Sequence, residues 1–474
     1  MNVVFLCPNV PYPPLNGGHH RSLRLIRSIA RFASVNVLAI GDPRDDRAQR
    51  TAEVLSAVGA TLSVHRPTGP GRPEDDEESL ERRPDAAAHF RSQALATALA
   101  RRFAERPVDV AHVEEVVMAQ YLDGLPCPRV IDRQKVDWAY HEAMAQVAPR
   151  DALHHLREAA RFRWWERRLV GEFDRMFVPG QGDRQVLEPL HGPGLVEVVP
   201  IGIGDDLSPP SASVRRVQHV LLFGARDYGP NVEAEHWFFR DVWPELRATV
   251  PHLRAIVAGS GRPPLRAEPP PSDGWVQVLG FVPDIKSLLQ GPGVLAVPVP
   301  VGGGARTKIL EALACAMPVV STAVGVENLD LVAGRDFLRA ETAAEMVAAV
   351  SRLARDPDLA TALGRAGAAR AEAFRWSRIE TMLEPIYREA AADRSGAARA
   401  RSADHARRVT WEIPLTIGHL HAELSERDRR GARATRFLRR TIRRLRRTRL
   451  AMRAEAMTLR LLDSLGAGAG LRPR

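Results

Sequence analysis

The 474-residue chain carries 67 basic and 57 acidic side chains, net +10, with 45% hydrophobic and 26% charged residues, a mix and length that fit a soluble globular protein of two or three domains. The charge is uneven: residues 401–474 hold 19 arginines and 7 acidic residues, leaving residues 1–400 at −2, which excludes a uniformly basic nucleic-acid binder. Cys7, Cys127 and Cys315 are too scattered for a disulfide framework or a metal site. No apolar run is long enough to span a bilayer, and Met1–Cys7 lacks the basic start of a secretion signal, so a cytoplasmic protein is expected.

In chain order, Asn2–Leu6 reads as a strand, Pro8–Gly18 as a turn-rich loop and Arg21–Phe32 as a helix. Short apolar runs at Ser34–Ile40, Thr61–His65, Val108–Val113, Arg129–Asp132 and Arg175–Val178 alternate with helical stretches, which predicts βαβ units on a parallel sheet. Thr68–Pro84, acidic and proline-containing, reads as a surface loop. After Pro209–Pro210 a second series begins, with strands at His219–Phe223, Arg254–Ala258, Val276–Leu279, Val294–Val299 and Pro318–Thr322, and helices at Val232–Thr249 and Thr307–Ala316. Helices fill Glu341–Ala391. The expected fold is α/β, with two facing Rossmann-like domains over 1–200 and 201–375, a helix near 376–392 packing back on the first, and a basic tail over 396–474. Ligands of such sheets bind beyond the carboxyl ends of the strands.

The most informative stretch is Val297–Thr322, where a strand runs into Gly302, Gly303 and Gly304, then a helix, then another strand. Glycines let backbone approach a ligand closely, and a helix start offers free N–H groups to an anion. Arg306 and Lys308 add two cations at that helix N-terminus, where the macrodipole disfavours positive charge. A bound diphosphate explains them better than the helix does. Lys308 is one of only three lysines, with Lys135 and Lys286. Glu311, one turn on, is placed to accept hydrogen bonds from ribose hydroxyls.

These motifs resemble the retaining glycosyltransferases of family four, which have the GT-B fold, over roughly residues 1–390. Within that family the chain looks most like the exopolysaccharide and cell-surface glycan branch. The carriers are Phe223–Asn231 (FGARDYGPN), Gly280–Asp284 (GFVPD), Gly302–Thr322, Gly325–Leu329 (GVENL), Pro11–Gly18 (PYPPLNGG), Asp132 at a strand end and Val199–Gly202 (VPIG). The resemblance implies a nucleotide-diphosphate-sugar as donor substrate, with no further cofactor. It implies that Gly17 and Gly18 approach the donor diphosphate, that Gly280 and Phe281 lie by the nucleobase, and that Glu311 holds the ribose.

The chain also departs from the family pattern. Gly303 stands where an acidic side chain often contacts the donor sugar. Ala225 and Pro230 replace the usual Arg and Lys phosphate clamp, for which Arg226, Arg306 and Lys308 are the substitutes. Glu114 stands where many members place an active-site histidine; a sugar contact and a helix-start glutamate are equally consistent with its sequence context. His112 reads as a core histidine, and His19 and His20 are weaker candidates. Asp75–Asp76 and Asp205–Asp206 sit in loop or hinge contexts rather than at strand ends, so no metal is expected. The expected reaction is metal-independent retaining transfer, with Glu114, Arg306 and Lys308 as the reacting-centre residues, to a glycan or lipid-linked acceptor. A non-catalytic binding or scaffold relative, or a nucleotide-sugar 2-epimerase of the same fold, is the alternative. Residues 426–465 read as a cationic amphipathic helix suited to an anionic membrane surface on the inner face of the plasma membrane. Nucleic acid is not an expected partner.

Overall fold

The computed structural model describes residues 1–68, 83–148, 151–211, 216–262, 270–271, 274–393 and 395–408. Most of the acidic loop and the basic stretch 426–465 lie outside the described residues. The first domain is a parallel seven-stranded sheet of β1 (Asn2–Cys7), β2 (Ser34–Ile40), β3 (Thr61–His65), β4 (Val110–Glu114), β5 (Arg129–Asp132), β6 (Arg175–Val178) and β7 (Val196–Val198), in the order β3-β2-β1-β4-β5-β6-β7. The second is a parallel six-stranded sheet of β8 (His219–Phe223), β9 (Arg254–Ala258), β10 (Val276–Gly280), β11 (Gly293–Val297), β12 (Val319–Ser321) and β13 (Leu338–Arg339), in the order β10-β9-β8-β11-β12-β13. Both are doubly wound, with strand order reversing between the first and fourth strands of each series. That reversal opens a crevice at β1/β4 and at β8/β11.

Continuous apolar strands are what a sheet covered on both faces requires. Alternation along β1 sends Val4 and Leu6 to one core and Val3 and Phe5 to the other. The second core is completed from far along the chain: helix Trp376–Ala392 supplies Trp376, Ile379, Leu383 and Tyr387 to it. The chain thus crosses between domains twice, and the crossings run side by side, with Ile203 N–H donating to Phe374 O (2.9 Å) and Trp376 N–H to Ile203 O (3.2 Å). A further helix, Ala397–Arg408, stays on the first domain through an Arg399–Asp174 ion pair and a Gly171 N–H to Ser402 Oγ bond of 3.2 Å.

One expected helix is interrupted. The stretch 232–249 forms helix Gly229–Trp237, a π turn at Phe238–Val242 and helix Trp243–Thr249. Pro244 is the cause, because it has no N–H to return to the preceding turn and its ring crowds the carbonyl there. The short strands β7 and β13 carry too few residues to show a periodicity.

A buried ion pair fixes the first crevice. Arg21, 1% exposed, meets Asp132, 0% exposed, through Nε–Oδ2 (2.7 Å) and Nη2–Oδ1 (2.6 Å), and donates further to Pro200 O (2.8 Å) and Val199 O (2.9 Å). One guanidinium therefore ties helix Gly17–Ile29, the end of β5 and the hinge together. Breaking such a pair from one side leaves a charge without water or partner. Arg21→Met should lower unfolding free energy by about 3–5 kcal/mol, and adding Asp132→Leu should restore most of the loss. Wild-type stability in the single variant, measured by denaturant unfolding, would mean that the pair does not hold the domain.

Candidate active site

The second domain contributes two helix starts and one lysine. Beyond the ends of β8 and β11 a recess is lined by Gly224, Arg226, Asn231, Pro298 and Lys308, among others. Lys308 Nζ donates to Asn231 Oδ1 (2.8 Å), and Asn231 is itself held by an Nδ2 bond to Ala225 O (2.9 Å). A side-chain carbon on Gly224 would lie 2.9 Å from Lys308 Nζ and 2.7 Å from Asn231 Nδ2, so the bare glycine leaves room for both side-chain ends. Among the described residues no carboxylate forms an ion pair with Lys308, Glu311 one turn on included. Burial, then the charge of Arg306, lowers the Lys308 pKa to about 7. Burial raises Glu311 to about 7, with Lys308 opposing.

The other two candidate cations are already engaged. Arg226 forms a two-pronged pair with Glu235 (3.1 and 2.5 Å). Arg306 donates to Gly304 O (2.8 Å) and Val301 O (2.9 Å), bracing the glycine run from within. Gly302 faces Glu327, whose Oε2 lies 2.3 Å from where a side chain would start. Gly280 sits at φ +67 at the end of β10, and Phe281 beyond it is 57% exposed, away from the Lys308 recess lining.

From the first domain, Gly17 and Gly18 open helix Gly17–Ile29, with Asn16 accepting the His19 N–H (3.0 Å). Gly17 faces the second domain directly: a carbon on it would sit 3.0 Å from Thr307 Oγ1. Glu114 ends β4 but is 0% exposed, and its Oε1 accepts from Gln134 Nε2 (2.7 Å). Burial, reinforced by Asp132, raises its pKa to about 8, which leaves it a neutral acid beneath the cleft floor at pH 7. His112 is a core residue, stacked on Phe5 at 4.2 Å and bonded through Nδ1 to the Tyr387 hydroxyl at 2.5 Å.

Several cleft residues had no role in the sequence reading. Gln134 stands where the two glycine loops meet. A carbon on Gly18 would lie 2.6 Å from its Oε1, and one on Gly304 (φ +68) would lie 2.1 Å from its carbonyl oxygen. Tyr140 and Tyr228 stack across the cleft, 6.1 Å apart and 9° from parallel. Asn328, at φ +65 in the GVENL stretch, reaches over to the first domain, where its Oδ1 accepts from Gly182 N–H (2.9 Å) and its Nδ2 donates to Asp183 (3.0 Å). It thereby caps helix Gln181–His191 from the opposite domain. The crevices therefore face one another with the loops in contact.

The sheet orders and this facing arrangement are those of a GT-B glycosyltransferase fold. A family model described as "Glycosyl transferases group 1" matches residues 218–356, so the second domain is a glycosyltransferase domain. Solved structures with the same fold include sucrose-phosphate synthase from Thermosynechococcus elongatus, at 15% identity and a TM-score of 0.61, covering 83% of this chain and 100% of that one. HepE from Anabaena, solved with UDP and glucose, is 16% identical with a TM-score of 0.57, over 82% and 100%. WaaG, a glycosyltransferase involved in lipopolysaccharide biosynthesis, is 16% identical with a TM-score of 0.54, over 81% and 99%. A search of curated protein sequences finds no match.

The Lys308 environment gives a proton signature. At pH 8 an ammonium with a pKa of about 7 is mostly neutral, and a phosphate beside it favours the charged form. Nucleoside diphosphate binding at pH 8 should therefore draw in close to one proton, read by calorimetry in buffers of different ionisation enthalpy. Lys308→Met should abolish the uptake. Wild-type binding without uptake would place the phosphates elsewhere.

Proposed function

We propose that the chain is a retaining, metal-independent glycosyltransferase of family four that moves a sugar from a nucleotide-diphosphate-sugar to a glycan or lipid-linked acceptor. The observation that carries the reading is Lys308, an ammonium without a counter-ion at a helix start, facing a recess beyond the strand ends of a glycosyltransferase domain. A cation half-withdrawn from water with no ionic partner is stabilised when a ligand supplies the missing charge. Similar folds have been solved with UDP and with UDP-glucose, which suits a nucleoside diphosphate here.

In the transfer, the bond from the sugar's anomeric carbon to the phosphate oxygen breaks as the acceptor oxygen bonds to that carbon. The acceptor proton passes to the departing phosphate on the same face, so configuration is kept. Lys308, the free N–H groups at the start of helix Thr307–Ala314 and the glycine-run backbone stabilise the charge that builds on the diphosphate. This set of donors requires no metal. Glu311 holds the ribose. The arginine-rich residues 426–465 bring an anionic bilayer, and with it a lipid-linked acceptor, to the first domain; truncation after Arg408 should abolish co-sedimentation with anionic vesicles.

Turnover of a panel of UDP-, GDP- and dTDP-sugars tests the reading. Release of nucleoside diphosphate is expected, with kcat/KM lowered about 10–100-fold in Glu311→Ala and about 100–1000-fold in Lys308→Ala. An epimerised donor would favour the 2-epimerase, and tight binding without turnover a non-catalytic role. The engaged Arg226 and the bare Gly303 make that last outcome the one to watch. If both variants turn over like wild type, the site is misassigned.

A further inference from the structure

Glu115 immediately follows β4, the central strand of the first sheet, at φ 63 and ψ 149, a backbone region that residues with a Cβ rarely occupy. Its side chain is partly exposed, yet Oε2 is buried without a hydrogen-bond partner. A strained backbone combined with an orphaned carboxylate oxygen points to a use beyond packing. Its neighbour in charge is Lys135, whose Nζ lies 2.8 Å from Asp137 Oδ1 and 5.8 Å from the Tyr140 ring centre. The three residues Glu115, Lys135 and Tyr140 form a polar wall with an aromatic face.

That wall stands against the glycine run of the other domain. A side-chain carbon on Gly304 would lie 3.7 Å from Lys135 Cβ, and one on Gly303 would lie 3.2 Å from Tyr140 Cδ2. The glycine run offers no side chain of its own to a bound molecule, and Arg306 is spent on its backbone. Lys135 and Tyr140 are the first-domain side chains that stand beside Gly303 and Gly304.

We propose that Glu115 and Lys135 bind the hydroxyl groups of the sugar carried by the donor, with the Tyr140 ring against its C–H face. A carboxylate accepts from adjacent hydroxyls and an ammonium donates to them, the pairing that a polyol requires. This rests on the donor reading above. In it, the diphosphate at Lys308 and the glycine run directs the attached sugar toward the facing wall. Glu115, and not the fully buried Glu114, is then the carboxylate at the end of β4 that meets substrate.

The test is calorimetry on the full chain with UDP, GDP, dTDP and ADP, and with their glucose, galactose, mannose and N-acetylglucosamine conjugates. The quantity read is the affinity of a conjugate relative to its bare nucleoside diphosphate. Glu115→Gln and Lys135→Met should leave bare nucleoside diphosphate affinity within about twofold while lowering that ratio about tenfold or more. Glu115→Gly relieves the positive φ, so it should melt at or above the wild-type temperature and still lose the ratio. A purely structural glutamate would do the reverse. An unchanged ratio in both charge variants, or a Glu115→Gly protein that melts lower and keeps its ratio, overturns the proposal. A wild-type chain that binds none of the bare nucleoside diphosphates overturns the donor reading itself.

Discussion

One half-buried ammonium with no carboxylate partner among the described residues stands at the centre of the proposed site. Lys308 has an amide oxygen as its hydrogen-bond partner, at 2.8 Å, and its lowered pKa, about 7, is the mark of that burial. An ordinary surface lysine at this helix position would point to solvent or pair with Glu311. Here Lys308 instead donates to the held amide of Asn231 beside the bare Gly224. In the proposed reading its charge meets the donor diphosphate, and the two sheets supply the frame that positions it.

That frame depends on the elements holding the two crevices together. The buried Arg21–Asp132 pair fixes the first glycine loop to a strand end and to the hinge. The two crossings between the domains are tied side by side by the hydrogen bonds at Ile203, Phe374 and Trp376. Across the cleft, Asn328 caps a helix of the opposite domain, and Gln134 sits within touching distance of both glycine loops. Glycine at 304 is required twice over, by its positive φ and by the Gln134 carbonyl that fills the space a Cβ would take. Local sequence and interdomain geometry agree there.

Much of this was legible in the sequence. The two runs of alternating strands and helices gave both sheets, because parallel strands buried on both faces are continuously apolar. Gly302–Gly304, followed by a helix start that carries Lys308, were legible as a close-approach loop at the end of a strand, and the structure places that loop against the first domain. Partners made across the fold were not visible: that Glu235 occupies Arg226, that Arg306 braces its own loop, and that Glu114 at the end of β4 is fully buried. The positive φ of Glu115 beside it is likewise a backbone feature that no spacing reveals. One signal was available and went unused. In a chain with three lysines and six asparagines, Lys135, Lys308, Asn16, Asn231 and Asn328 all stand at the cleft, so residues that composition disfavours collected where hydrogen bonding needs them.

The most direct test is the affinity of the preferred nucleoside diphosphate for the wild-type chain and for Lys308→Met at pH 7. If Lys308 meets the phosphates, the variant should bind about 10–100-fold more weakly, the worth of one charge-assisted hydrogen bond, while melting no lower than wild type because a half-buried charge without an ionic partner has been removed. Equal affinity in the two proteins would contradict the central role given to Lys308.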